Sequence, residues 1–464
     1  MKKLWMSIIG TALLQYACED FVEVDVPDNK IVSETVFSSD ELANSAVTGI
    51  FNELFNRDLY NGDFRSATML GDLSADNLMT TDPNEQLVDF EQNQVLVGNS
   101  YNLELWSSAY NVVYMCNAVI EGLRDNEGVS VELEEKLLGE VLFVRAFTYF
   151  HLVNLYGEVP LIRTSDYREN DLAPRTATTE IYDAVMEDLE SAANLLGAEY
   201  EGGERTRPTK FTAMALLARV HLFLEEWEEA EILSTQLIGN NGMFSLLNDL
   251  GEVFLANSHE AIWQISPLAG GALSPVTHEA RVFIINAPPP ISQKPVALSS
   301  DLIGTYSPRD LRREHWIEVF QTESNAYYFP LKYRTATTDG NVEHSMAMRF
   351  AEQYLIRAEA RAHQGKLPGA IEDLDKIRER ANLEPIWNVA PSIGMEALLD
   401  SIQLERRREL FTEWGHRWLD LKRTGRVSEV LGTIKPSWQD TDALYPIPEE
   451  EINKNPNLSQ NLGY

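Results

Sequence analysis

The chain has 464 residues, 44% of them hydrophobic, with 72 acidic against 38 basic side chains and a formal net charge of −34. That much apolar material supplies one large domain or two to three ordinary ones and excludes global disorder. The charge excludes nucleic acid or an anionic membrane surface as a natural partner and leaves room for a neutral or cationic ligand. The opening residues read as a targeting segment: Lys2 and Lys3, then the apolar run Leu4 to Leu14, then Ala17 and Cys18 before Glu19 and Asp20. The run has signal-peptide length and is too short to span a bilayer. A small residue before such a cysteine is the pattern of a bacterial lipoprotein, whose acylated cysteine becomes the mature N-terminus. The leucine usual three residues earlier is displaced to Leu14, with Gln15 in its place. An ordinary secretory signal with an incidental Cys18 is the alternative. On the lipoprotein reading residues 1–17 are the leader and 18–36 a polar tether, and acyl chains on Cys18 anchor the chain. Cys116 then has no disulfide partner and reads as a small core residue. No later segment is apolar enough over a sufficient length to cross a membrane.

From Asp40 the pattern is helical. Ser39 or Asp40 caps a first helix with the stripe Leu42, Ala46, Ile50, Leu54 and Phe55. Tyr60 to Gln94 loses that periodicity, is rich in Asp, Asn, Gly and Thr, and reads as a functional loop region. Helices resume through Trp106, Tyr110, Val113 and Ala118, then from Leu133 to Tyr156, where Gly157 and Pro160 stop the run. Thr178 or Thr179 caps the next, through Ile181, Val185, Leu189 and Leu195. Ala218 is followed by Ala230, and Ala358 by Ala370, at one common interval, with Gly365 in the second turn. That interval puts small residues where the two helices of a tetratricopeptide pair cross; a generic helical hairpin is the alternative. Leu142-x-x-Arg145-Ala146-x-x-Tyr149 is a third, partial copy whose second helix waits until after Thr178. Residues 241–341 differ: Ala261–Ile265 reads as a short strand, and Gly270, Gly271 and Pro288–Pro290 mark long loops among dense aromatic residues. The expected body therefore spans 37–464, with a helical scaffold at 37–240 and 342–435 carrying a loop-rich insertion at 241–341. Leu444 and Tyr445 are expected to pin the extended tail.

Leu404 to Arg426 concentrates arginine among Trp414, Trp418, Leu419 and Leu421. Guanidinium groups held by aromatic residues predict an ion-pair network clamping two helices, with Glu405–Arg408 and Arg406–Glu409 at (i, i+3) spacing. Catalytic patterns are missing. There is no phosphate-cradling glycine loop and no GxSxG serine, and His259-Glu-Ala-Ile-Trp263 lacks the second histidine of a zinc helix. No catalytic residue, metal or cofactor is expected. Asp72 and Asp76 are spaced as a carboxylate pair, with turn bonding as the plainer role. A sugar offers apolar ring faces and a polar rim, which proteins meet with flat aromatic groups and amides. Residues of that kind in the two loop-rich regions are Tyr60, Phe64, Asp72, Asn77, Met79, Phe283, Trp316, Tyr327 and Tyr328, weighed against the tendency of aromatic side chains to fill cores. Trp106, Trp227, Trp414 and Trp418 lie in helical patterns and are assigned to packing.

The run ERRRELFTEWGHRWLDLKRTGR resembles the C-terminal signature of the SusD/RagB family, nutrient-binding lipoproteins at the outer surface of Bacteroidetes cells. Asn154–Leu161 (NLYGEVPL), Tyr354–Ala360 (YLIRAEA) and the ending from Tyr445-Pro-Ile-Pro448 through Asn455–Asn461 to Tyr464 fit the same family in the same order. The resemblance implies a mainly α, SusD-like scaffold of interrupted tetratricopeptide-like helix pairs, with long loop and short-strand insertions. It implies a lipid-anchored protein of the cell outer membrane that binds oligosaccharide or polysaccharide without cleaving it. It implies delivery to a SusC-like TonB-dependent transporter, on which the protein sits as a lid. A peptide ligand, as on the RagB side of the family, is the alternative, and a surface glycosidase is a third.

Overall fold

The computed structural model describes residues 36–81, 83–124, 127–267, 275–289, 294–335 and 342–464. The expected leader, Cys18 and nearly all of the expected tether lie outside the described residues, as do Gly270, Gly271 and Pro290. Nineteen helices and six short strands follow one another in chain order among the described residues. They are α1 Asp40–Asn56, α2 Ala67–Ser74, β1 Leu78–Thr80, α3 Glu85–Gln92, α4 Ser100–Arg124, α5 Val131–Tyr156, α6 Tyr167–Asn170, α7 Thr178–Leu195, α8 Lys210–Phe223 and α9 Trp227–Gly239. Next come β2 Ala261–Ile265, α10 His278–Phe283, β3 Val296–Leu298, α11 Ser300–Thr305, α12 Leu311–His315, β4 Ile317–Gln321, β5 Ala326–Pro330 and β6 Ser345–Arg349. The last are α13 Phe350–His363, α14 Leu367–Arg380, α15 Ile386–Val389, α16 Met395–Leu410, α17 His416–Arg423, α18 Val427–Ile434 and α19 Glu449–Lys454.

A stack of helices forms the scaffold: α5 packs on α7, α7 on α8, α8 on α9, α9 on α13, and α13 on both α14 and α16. Short turns join α8 to α9 and α13 to α14, and Gly365 takes the left-handed φ of +73° in the second. The alanine spacing is realised: Ala218, Leu222, Ala230, Ile356 and Ala360 form one buried cluster binding α8 and α9 to α13. The partial third copy is realised too, since α5 finds its partner in the delayed α7. Fork-shaped ion pairs lock these contacts. Arg145 holds Asp188 at 2.7 Å through two nitrogens, Arg219 holds Glu352 at 2.8 and 2.6 Å, and Arg357 holds Asp373 at 2.9 and 2.6 Å. From Leu137 on, α5 is buried almost all round, the signature of a central helix. The neighbouring α4 carries Cys116, fully buried, its thiol pushed up to about 12 by desolvation, as a small core residue should be.

Several boundaries differ from the periodicity. The buried face of α1 is Ala43, Val47, Ile50, Phe51, Leu54 and Phe55, while Leu42 is exposed, so the stripe is rotated by one residue at its start. Ala177, not a threonine, precedes α7 and gives no side-chain cap. The expected loop from Tyr60 to Gln94 contains α2, β1 and α3. Every residue of α2 is buried, so no solvent face imposes the helical period on its sequence. Residues 241–341 fold onto that region: β1 pairs antiparallel with β3, Met79 opposite Ala297. The ribbons β2–β6 and β4–β5 complete the sheet content among the described residues. In the tail Tyr445 is buried and bonds Ser74 Oγ through its hydroxyl at 2.8 Å.

Candidate functional site

The arginine-rich stretch begins in the last turns of α16 and turns sharply into α17. Thr412, Trp414 and Gly415 all have positive φ (50°, 49° and 66°). Only strong local contacts hold two non-glycine residues in that region. The Thr412 N–H donates to Asp72 Oδ2 at 2.6 Å, the Trp414 N–H to Thr68 Oγ1 at 3.0 Å, and the Trp414 indole to the Met346 carbonyl at 2.9 Å. Gly415 lies against α2 so closely that a Cβ on Gly71 would stand 2.8 Å from its Cα. The turn thus seats the whole stretch on α2.

From that seat the side chains reach a cleft. Arg407 donates through Nε to Asn77 Oδ1 at 3.0 Å, through Nη2 to the Asp76 carbonyl at 2.9 Å and through Nη1 to Asp301 at 2.8 Å. Arg417 grips both carboxylate oxygens of Asp76 at 2.7 and 2.9 Å. Burial pushes the Asp76 carboxyl up, but the Arg417 hydrogen bonds and the Arg407 and Arg417 charges outweigh it, and the group lies below the usual carboxylate range. Lys435 donates to the carbonyls of Leu73 and Ser74, at the open end of α2, and to Asn93 Oδ1, at 2.9, 2.7 and 2.6 Å. Burial brings its amine down to about 7. Above this floor opens a cavity of about 580 Å³ walled by Met79, Glu91, Asp301, Ile434 and Ser437. Met79 is 43% and Ile434 49% exposed, and the Asp301 side chain is 64% exposed. The Thr80 hydroxyl donates to Glu91. Apolar wall, carboxylates and hydroxyls in one open cleft suit a polar ligand with apolar faces.

The structure brings three of the sequence candidates together here. Met79 is on the rim, while Asn77 and Asp72 lie buried beneath the floor, Asp72 accepting from the Asn77 amide at 3.3 Å. Asn77 and Asp72 are themselves fully buried, which corrects the expectation that they face a ligand: they hold Arg407 and the α16–α17 turn in place. Tyr60 is corrected likewise, being 1% exposed with its hydroxyl on Thr148 at 2.6 Å and its ring between Phe147 and Trp414. Phe283 is 2% exposed in the main core. Trp316 has no exposed surface; its indole N–H donates to the Leu250 carbonyl at 2.9 Å. The Lys332, Arg349 and Arg380 cations stand 4.9, 5.6 and 5.9 Å from its ring. It is an aromatic hub in a buried ion-pair cluster, because the cations that Glu260, Glu409 and Glu413 neutralise need a polarisable face as well. Phe64 is half-buried against the main core. Tyr327 and Tyr328 are half-buried on β5, and Tyr327 packs on the small cluster of Ile285, Ala297 and Phe329, so neither lines the cleft.

The predicted ion-pair network is present, with one pairing changed. Arg408 meets Glu405 at 3.8 Å, but Arg406 holds Asp420 at 2.8 Å, while Glu409 serves Arg312, Arg349 and Arg380. Trp106, Trp414 and Trp418 are buried, and Trp227 stacks on His363 with centroids 3.9 Å apart. Sequence reasoning passed over Glu91, Asp301 and Lys435. Asp301 had a local signal, since Ser299 caps α11 and places Asp301 in its first turn, but nothing local links it to Arg407. Among the described residues no group of three His, Cys, Asp or Glu side chains could hold a metal ion, and no helix is long and apolar enough to cross a membrane.

Two family models match the chain. Residues 20–222 match a SusD-like family described as starch-binding and associating with the outer membrane, and residues 314–464 match the SusD family. SusD-like protein P38 of Formosa agariphila is 25% identical over 507 residues, covering 97% of this chain and 96% of that protein. The starch-binding protein SusD of Bacteroides thetaiotaomicron is 23% identical over 436 residues, covering 74% of this chain and 75% of its own. A laminarin-binding SusD-like protein of known structure superposes with a TM-score of 0.76 at 20% identity, over 92% of this chain and all of that one, a likeness of fold. With both matched regions in order, and the helix pairs and arginine-rich turn just described between and within them, the chain belongs to the SusD/RagB family, whose SusD-like members bind glycans.

Proposed function

We propose that the protein is a lipid-anchored capture protein of the cell outer membrane, which holds oligosaccharide in the Met79 cleft and passes it to a SusC-like TonB-dependent transporter. The observation carrying the binding site is the cleft itself: an open, mixed apolar and polar surface whose floor is fixed by Arg407, Arg417 and Lys435 before any ligand arrives. Its chemistry favours binding over hydrolysis. A glycosidase needs one protonated and one free carboxyl across the bond. Here Asp76 is doubly held as an ion by arginine, Asp301 is paired with Arg407, and Glu91 accepts from Thr80. Starch and laminarin, named for two of the relatives, are the first glycans to try. Hand-over needs rapid release, so a Kd on the order of micromolar to millimolar suits the role. A tether after Cys18 would let the body swing as a lid.

Titration calorimetry with starch and laminarin oligosaccharides, and with a basic peptide because of the charge of −34, tests the ligand class. Met79→Ala combined with Asp301→Ala is expected to weaken glycan binding by about 3–30-fold, equivalent to roughly 0.6–2 kcal/mol, with the melting temperature unchanged. Wild-type affinity in that variant rejects this cleft. Shortened glycans after incubation reject the binding role, and peptide binding alone moves the protein to the RagB-like reading. Isolation of the native protein from detergent-solubilised membranes tests the transporter: a large outer-membrane barrel is expected with it.

A further inference from the structure

A second cleft, sharing no lining residue with the first, lies where α4, the segment after Pro160 and α19 meet, and encloses about 330 Å³. Its inner wall is built by one face of α4: Trp106, Tyr110 and Tyr114 recur at (i, i+4), about 6 Å apart along the helix axis. The first two rings are fixed. Their centroids are 4.9 Å apart, the Tyr110 hydroxyl donates to the Pro160 carbonyl at 2.8 Å, and Trp106 meets Tyr156 edge-on at 4.9 Å. Tyr114, by contrast, is 53% exposed, and Tyr167 on the other wall is 69% exposed. Among the described residues these are the two tyrosines that stand open to solvent, and both line this cleft. A second observation points to a ligand. Trp106 lines the cleft, and its indole N–H donates to no described residue. An acceptor entering the cleft has this donor to meet. Glu451 and Lys454 of α19 and Asn170 supply a polar rim.

We infer that this cleft is a second carbohydrate subsite, taking one or two pyranose rings. The rings stack on Tyr114 and Tyr167, and a sugar oxygen accepts from Trp106. The chemistry matches: two flat, low-entropy aromatic faces, one fixed donor, and a rim carrying both an ammonium donor and carboxylate acceptors. The volume lies at the small end of the roughly 300–1,000 Å³ range of small-ligand clefts. Two separated weak sites on one body would hold a polysaccharide by avidity while letting each segment go quickly. The inference rests on the glycan-binding reading but not on the Met79 cleft.

Native affinity gels containing starch, laminarin, xylan, galactan, mannan or arabinan test it on the full chain. Tyr114→Ala with Tyr167→Ala is expected to lose at least threefold in retardation in a gel that retards the wild type, at unchanged melting temperature. Tyr114→Phe with Tyr167→Phe, which keeps the stacking faces, is expected to retain most of it. Wild-type retardation in the double alanine variant overturns this subsite alone. Retardation of the wild type by none of the six polysaccharides overturns the subsite together with the glycan reading. Loss of barrel co-purification with gel behaviour intact overturns it too, by assigning the cleft to a protein contact.

Discussion

Asp72 is the side chain on which the geometry of the Met79 cleft turns, though it touches no solvent. Burial raises its carboxyl from 3.8 to about 7, against the opposing pull of the Thr412 N–H and the Asn77 amide. An unfolded aspartate gives up its proton near 3.9. Between those values folding takes up a proton, so the stability contributed by this group is complete below about pH 4 and is lost progressively as pH rises from there through about 7. Asp72→Asn keeps an acceptor for Thr412 and removes the titration. Its melting temperature is expected to match the wild type near pH 4 and to exceed it progressively up to pH 8. The gain corresponds to at most about 2–4 kcal/mol, and thermal unfolding at the two pH values measures it. A pH-independent difference between the two proteins would show that the carboxyl does not titrate in this window. In the sequence Asp72 is a carboxylate among loop-like residues, a setting that points it at a ligand; its burial depends on a turn 340 residues away.

The α16–α17 turn and α2 fit together through glycine on glycine. At Gly415 a Cβ would stand 2.9 Å from the Ala67 carbonyl, and φ there is +66°. Gly415→Ala is therefore expected to destabilise the protein by about 1–3 kcal/mol and to weaken glycan binding as well, because Arg407 and Arg417 ride on the displaced turn. Chemical denaturation and calorimetry read the two losses separately, and a variant that lost stability but kept full affinity would uncouple the turn from the cleft. The glycine was legible as a helix interruption, and so was the clustering of arginine and tryptophan. The helix pairs were legible because their alanines repeat at a fixed interval. α2 was not, because a helix buried on every side has no periodic polar face. Trp316 and Phe283 misled for the opposite reason: they sit in a segment with loop composition, yet their neighbours in space are β-ribbons and the α16 ion-pair cluster, which composition does not reveal.

The stack from α5 to α16 is mostly built from helices near one another in sequence, apart from the α9–α13 contact across the insertion, but the Met79 cleft is not. Arg407 reaches Asn77 across 330 residues, Arg417 reaches Asp76 across 341, and Lys435 reaches Leu73 across 362. A chain ended after Gln403 would keep the helix pairs and lose all three cations of the floor. It is expected to retain helical circular dichroism, to lose the sharp thermal transition and to bind a hydrophobic dye; a cooperative transition near that of the full chain would contradict this. Synthesis meets the same constraint in time. At roughly 5–20 residues per second, the segment around Met79 leaves the ribosome some tens of seconds before the arginines that must clamp it. Through that interval α2, buried on every side in the finished fold, has only its chain neighbours α3 and β1 against it, and a chaperone that shields it is the natural requirement of this architecture.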